Sequence, residues 1–255
     1  MRAISIAATI VATVILSLLS FLAKAAEVKV MAGGPLTAVF KELGPQFERD
    51  TGHRIVTRFS GTAVIKQEID AGEAFDLVIT NASAVDGWIK EGKIDAATRA
   101  SVAHAGLGVG VRAGSPKPDV SSVDASRRAL LNAATIGHGS ESASATSFKT
   151  LLDRLGIAGD VKSKLRPMGL GMPYKSVAAG EVELIVAVVP GIVAAPGVDL
   201  AGSFPPELQT YVGFAAGVSA GAKEPGAAQA LIKFLMSPAH ASVIKAKGLE
   251  PGSPR

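Results

Sequence analysis

The chain contains no cysteine. That excludes disulfide bonds, thiolate nucleophiles and cysteine-ligated metal sites. Aromatic residues are scarce, with one Trp and two Tyr, too few for the stacking platforms that sugars and single-stranded nucleic acids use. Only four His are present, at 53, 104, 138 and 240. They form neither an i, i+4 pair nor a short-loop ligand set, so no metal motif is written here. A dominant charge is missing too: 26 Lys and Arg face 22 Asp and Glu, and without Arg2 and Lys24 the net charge falls from +4 to +2. That is too small and too dispersed for a nucleic-acid partner.

Only the N-terminus carries a long apolar run. Arg2 precedes Ile4 to Leu22, and Ala23-Lys24-Ala25 fits a small-x-small cleavage pattern. Residues 1–25 therefore read as an export signal, although a run of this length also serves as an anchor if uncleaved. Leu184 to Val189 is too short to span a bilayer and reads as a buried strand. The remaining chain of about 230 residues accommodates one large domain or two lobes, stabilised by their core alone.

Short β runs alternate with helical patterns. Val28–Met31, His53–Phe59 and Phe75–Thr80 read as strands. Pro35–Asp50 reads as a helix with an irregularity at Gly44-Pro45, followed by helices over Thr62–Ala71 and Ala84–Glu91. Trp88 reads as packing. Farther on, Leu107–Arg112 and Leu184–Val189 read as strands, and Thr135-Ile136-Gly137 ends another. Thr146–Leu155, Pro173–Ala179, Pro225–Met236 and Pro238–Lys247 read as helices. The alternation predicts an α/β fold with mostly parallel sheets, whose ligands lie beyond the carboxyl ends of strands.

Three strand-to-helix loops are rich in Gly, Ser and Thr: Gly33-Gly34, Ser60-Gly61-Thr62, and His138 to Ser144. Each presents free backbone N–H groups and the positive end of a helix dipole, an arrangement suited to a small anion. The expected contacts are Gly33, Gly34, Gly61 and Thr62 on one side and Ser140, Ser142 and Ser144 on the other. Arg58, His138 and Lys175 lie near the same region as charged partners, which a carboxylate prefers over neutral donors.

In order and spacing, the chain resembles the molybdate-type solute-binding proteins of ABC importers, within the type II periplasmic binding proteins. The resemblance rests on Val28–Phe40, Gln46-Phe47 through Thr51-Gly52, and Gln67 to Gly72 followed by Phe75-Asp76-Leu77-Val78-Ile79. Leu151 to Gly156 and Val177 to Glu181 also fit. It implies two lobes, residues 26–108 plus 214–255 and residues 109–213, joined by crossover strands near Gly106–Arg112 and Tyr211–Val218. A ligand cleft would lie between the lobes. It further implies a periplasmic monomer with no cofactor and no catalysis, which hands a small anionic ligand to a membrane ABC permease. The family grips its oxyanion with a Ser in the first loop, a Ser in the second and a Tyr after a late strand. Those positions fall here on Pro35, near Gly61-Thr62, and near Val188, so only Thr62 keeps a hydroxyl. A carboxylate ligand is therefore a second expectation beside molybdate. Two alternatives remain: a serine hydrolase built on Ser140 or Ser142, for which His240 is the one downstream histidine, and a ligand sensor for a membrane receptor.

Overall fold

The computed structural model describes residues 25–140, 143–169 and 171–252. The chain begins with β1 (Glu27–Gly33), a 3-10 turn at Gly34–Leu36, and α1 (Thr37–Thr51). Next come β2 (Arg54–Ser60), α2 (Thr62–Asp70), β3 (Leu77–Asn81), α3 (Ala82–Lys90) and β4 (Ala100–Ala105). A second group follows: β5 (Leu107–Arg112), α4 (Val123–Asn132), β6 (Ile136–Gly139), α5 (Ala143–Leu155), α6 (Ala158–Val161) and β7 (Leu165–Met168). It continues through α7 (Met172–Ala179), β8 (Leu184–Val188), α8 (Val189–Ala194) and β9 (Val198–Ser203). The chain then returns with β10 (Val212–Val218), α9 (Pro225–Leu235), α10 (Ala241–Ala246) and β11 (Glu250–Pro251).

Two sheets result, in the orders β11-β4-β10-β3-β1-β2 and β7-β6-β8-β5-β9. Each is the centre of one lobe. Both are mixed, which corrects the expectation of mostly parallel pairing. β1 runs parallel to β2 and β3, and β6 parallel to β7 and β8. β10 is antiparallel to β3 and β4, and β5 is antiparallel to β8 and β9. Parallel neighbours require a crossover helix. β10 arrives from the other lobe without one, and nothing imposes the parallel direction on it. The chain enters the second sheet at Gly106 and returns through residues 204–211, so Leu107 and Gly108 belong to the second sheet and Val212 and Gly213 to the first.

Local sequence explains the elements that frame the site. β2 is an edge strand, and its alternation turns Ile55 and Phe59 toward the core while Arg54, Val56 and Arg58 face out. α1 buries Val39, Phe40, Leu43 and Phe47 and stops at Gly52, whose φ of 72° suits glycine. Pro45 does not interrupt it: the helix runs on, because the carbonyl that proline leaves unpaired belongs to exposed Lys41. Trp88 is 2% exposed in a layer with Ile65, Val78 and Ile94, so it packs. A larger apolar cluster runs from Val28 and Phe47 through Leu107 to Phe148 and spans both lobes. No helix among the described residues is long and apolar enough to cross a membrane.

Candidate functional site

β1 and β2 end level with each other, Gly33 paired with Ser60, and β3 ends beside them at Asn81. Each end leads straight into a helical turn. Gly33 and Gly61 occupy the cap positions in extended conformation and supply no side-chain cap. In α2 the first intrahelical bond is Ile65 N–H to Gly61 O at 3.0 Å, so the N–H groups of Thr62, Ala63 and Val64 precede the helical ladder. α3 differs: Asn81 Oδ1 accepts from Ser83 N–H at 3.0 Å and from Ser83 Oγ at 2.6 Å. A Cβ added to Gly34 would meet nothing within 4 Å, so the backbone there lies open. Thr37 Oγ1 donates to Gly34 O at 2.7 Å and holds the turn. Beneath it, Thr62 Oγ1 lies 2.9 Å from Thr80 Oγ1, and Thr80 is 1% exposed.

The second lobe brings the carboxyl ends of β6 and β8. His138 Nδ1 is 2.8 Å from Gly139 O, and its ring packs on Phe148 with centroids 5.5 Å apart. Ser140 is exposed, and its N–H donates to Met168 O at 2.8 Å. Ser144 lies in the first turn of α5, and Ser142 lies outside the described residues. Lys175 is exposed on α7. α8 packs against the Gly34–Leu36 turn of the first lobe, and a Cβ on Gly248 would come within 2.9 Å of Val189 Cγ1. The end of β8, where α8 begins, thus lies beside the end of β1.

Arg58 is placed differently from its expected role. Its Nη1 donates to Glu68 Oε1 at 2.6 Å, Glu73 lies 3.9 Å from Nη2, and the side chain is 54% exposed. The guanidinium lies against carboxylates on the flank of α2 instead of standing free for a ligand. The hydrolase arrangement is not assembled either. His240 packs on Phe234 with its Nδ1 2.7 Å from Phe234 O, in the first lobe. Among the described residues no cluster of His, Asp and Glu could hold a metal. A cavity of about 660 Å³ opens at the far end of the second sheet between Arg112, Lys117, Arg128 and Glu183. It lies away from the strand ends that face the first lobe.

Two residues escaped the sequence reading. One is Thr80, a hydroxyl at the end of an apolar strand. The other is Tyr174, in the first turn of α7. A Cβ on Gly191, in the first turn of α8, would sit 2.1 Å from Tyr174 Oη, so Gly191 makes room for the phenol. The sequence signal was Pro190-Gly191, which reads as a strand terminator but opens a helix. Val188, where the resemblance places a Tyr, is buried, and a phenol reaches the following turn from another element. Burial pushes the Tyr174 pKa up from 10.0 to about 12. Below about pH 10 the phenol is protonated folded or unfolded. Between about pH 10 and 12 only the unfolded chain ionises, so stability drains away by up to about 2–3 kcal/mol. Denaturant melts at pH 9 and 11.5 should show this loss in the wild type and a smaller one in Tyr174→Phe. Equal losses would place the hydroxyl in water.

Several known proteins are similar to this chain. Aconitate isomerase of a Pseudomonas species is 25% identical over 227 residues, 87% of either chain. The molybdate-binding protein ModA of Azotobacter vinelandii is 29% identical over 245 residues, 91% of this chain and 92% of that one. The solved periplasmic molybdate-binding protein of Azotobacter vinelandii superposes with a TM-score of 0.73 at 18% identity, over 89% of this chain and all of that one, and shares its two-lobed fold. The family model for bacterial extracellular solute-binding proteins matches residues 28–250, and the chain belongs to that family.

Proposed function

We propose that this protein is exported to the periplasm, captures a small anion between its lobes without chemical change, and presents it to a membrane ABC permease. The observation that carries the reading is the convergence of uncapped helical turns at Gly34 and Thr62 on one face of the first lobe, with the second lobe packed against it through α8. Such ends favour anions through N–H donors and the helix dipole. In this reading Gly33, Gly34, Gly61 and Thr62 hold the ligand from one side, and Ser140, Ser142 and Ser144 from the other. His138 stands at the rim as the charge partner, while Arg58 is engaged by Glu68. The protein acts as a monomer whose lobes divide at Gly106 and near Tyr211, close to the expected bounds of 26–108 plus 214–255 and 109–213, and residues 1–25 are the export signal.

The ligand is an oxyanion of the molybdate and tungstate type or a carboxylate. The molybdate-binding relatives support the first, and the aconitate isomerase relative supports the second, since aconitate is a tricarboxylate. A thermal-shift screen separates them. Protein expressed from the full chain is melted with molybdate, tungstate, sulfate, phosphate, citrate and both aconitate isomers. A ligand at about 100 times its Kd should raise Tm by about 5–10 °C. A shift confined to the metal oxyanions selects the first class, one confined to carboxylates selects the second, and no shift with any anion removes the reading. Aconitate recovered after prolonged incubation should be unchanged; conversion to the other isomer would make the protein an enzyme.

A further inference from the structure

Thr80 stands at the end of a strand whose preceding residues, Leu77 to Ile79, are fully buried. Its own exposure is 1%. Its Oγ1 lies 2.9 Å from Thr62 Oγ1, and among the described residues it has no other hydrogen-bond partner. Gly33 closes it from above: a Cβ there would rest 3.4 Å from the same oxygen. A hydroxyl has one proton and two lone pairs. A buried proton without an acceptor carries the full desolvation cost of the group. The Thr80 proton therefore goes to Thr62 Oγ1, the acceptor at hand. Thr62 Oγ1 then accepts from below, and its own proton must turn elsewhere. Thr62 is partly exposed at the first residue of α2, beside the N–H groups that precede the helical ladder. Its proton turns outward, toward the space those groups face.

We propose that buried Thr80 fixes Thr62 as an obligatory hydrogen-bond donor to the bound anion, and so selects ligand groups that carry no proton at that point. The inference rests on the anion-capture reading and adds a positioning residue to it. Molybdate, sulfate and ionised carboxylates present only acceptors. Singly or doubly protonated phosphate carries P–OH groups, and one of these placed against Thr62 sets two donors face to face. Such a mismatch leaves a polar group unpaired in a closed site. Thr80→Val removes the donor beneath Thr62 at nearly constant shape. The Thr62 hydroxyl is then free to accept as well as donate, and the preference for proton-free anions should shrink. Thr80→Ser keeps the relay.

The test is calorimetric titration of wild type, Thr80→Ser and Thr80→Val with molybdate, citrate and phosphate at pH 6 and 8, after melts confirm folding. Thr80→Val should bind the preferred proton-free anion about tenfold more weakly, while Thr80→Ser stays within about twofold of wild type. The ratio of its affinity for that anion to its affinity for phosphate should fall together with the affinity. A purely structural role for Thr80 would weaken all three anions alike and leave the ratio unchanged, which overturns the proposal. Thr80→Ala replaces the valine variant if the latter does not fold, with the same expected change in ratio. If the wild type binds none of the anions, the anion-capture reading fails and this inference with it. If the wild type binds and Thr80→Val matches it in affinity and ratio, only the relay fails.

Discussion

Asp76→Ala should lower stability by about 3–5 kcal/mol, which for a chain of this size is a fall in Tm on the order of 10 °C or more. Asp76 is 3% exposed, and among the described residues no cation is paired with it. Its carboxylate is held by backbone donors from two distant segments. Oδ2 accepts Lys29 N–H at 2.9 Å, and Oδ1 accepts Lys223 N–H at 2.7 Å and Glu224 N–H at 3.1 Å. One side chain thus ties β1 to the entrance of α9, reaching a residue 147 positions away from its own. Alanine would leave these three partly buried donors without the carboxylate that accepts from them, and the bonds lost are to a charged group, the stronger kind. Asp76→Asn separates charge from shape. Its oxygen can still serve Lys223 and Glu224, but its NH₂ then faces Lys29 N–H, donor against donor. It should fall between alanine and wild type. Urea melts of the three proteins decide the matter, and an Asp76→Ala midpoint equal to that of wild type would refute the argument.

Asp76 also shows how far the sequence could be read. It was visible within Phe75-Asp76-Leu77-Val78-Ile79 as part of a family pattern, yet its task depends on Lys223 and Glu224, far away in sequence. The strand-to-helix turns at Gly33-Gly34 and Gly61-Thr62 were legible because glycine and threonine advertise them locally. The pairing of Arg58 was not legible, because an alternating strand specifies a face but not the neighbour on that face, and Glu68 of α2 is that neighbour. Tyr174 is not legible in the sequence, because its phenol fills the gap left by Gly191, which only the packing of α7 on α8 reveals. Among the elements, β4 reads Ala-Ser-Val-Ala-His-Ala, too poor in β-branched and aromatic residues to stand out. α4 does not stand out either, although Ser122 Oγ caps it by accepting Ala125 N–H at 3.2 Å; its stripe is small, with Ala125, Ser126 and Leu130 as its buried residues. The mixed sheets have the same origin, since the direction of β10 follows from its return out of the second lobe and not from any local pattern.

That return passes a side chain that fastens both connections between the lobes. Gln209 Oε1 accepts Leu107 N–H at 2.8 Å, and its Nε2 donates to Leu107 O at 2.8 Å and to Phe204 O at 3.0 Å. Its amide imitates a strand neighbour for the first residue after the passage at Gly106. Arg154 Nη1 donates to Gln209 O at 2.8 Å and holds the clamp from α5. Gly106 is the complement of this arrangement: a Cβ there would lie 2.8–2.9 Å from the Gln209 amide. Gln209→Ala should cost about 2–4 kcal/mol, because backbone groups of Leu107 and Phe204 lose their partner. Gly106→Ala should cost a similar amount by a different route, since the new methyl expels the amide from the same bonds. The two losses then share one cause, and the double variant should be little worse than either single one. The coupling energy from a double-mutant cycle should therefore approach one single loss, about 2–4 kcal/mol in magnitude, where independent sites would give values near zero. Additive losses would mean that Gly106 serves backbone freedom alone. Coupled losses would identify the Gln209 amide as the pin that holds both connections together.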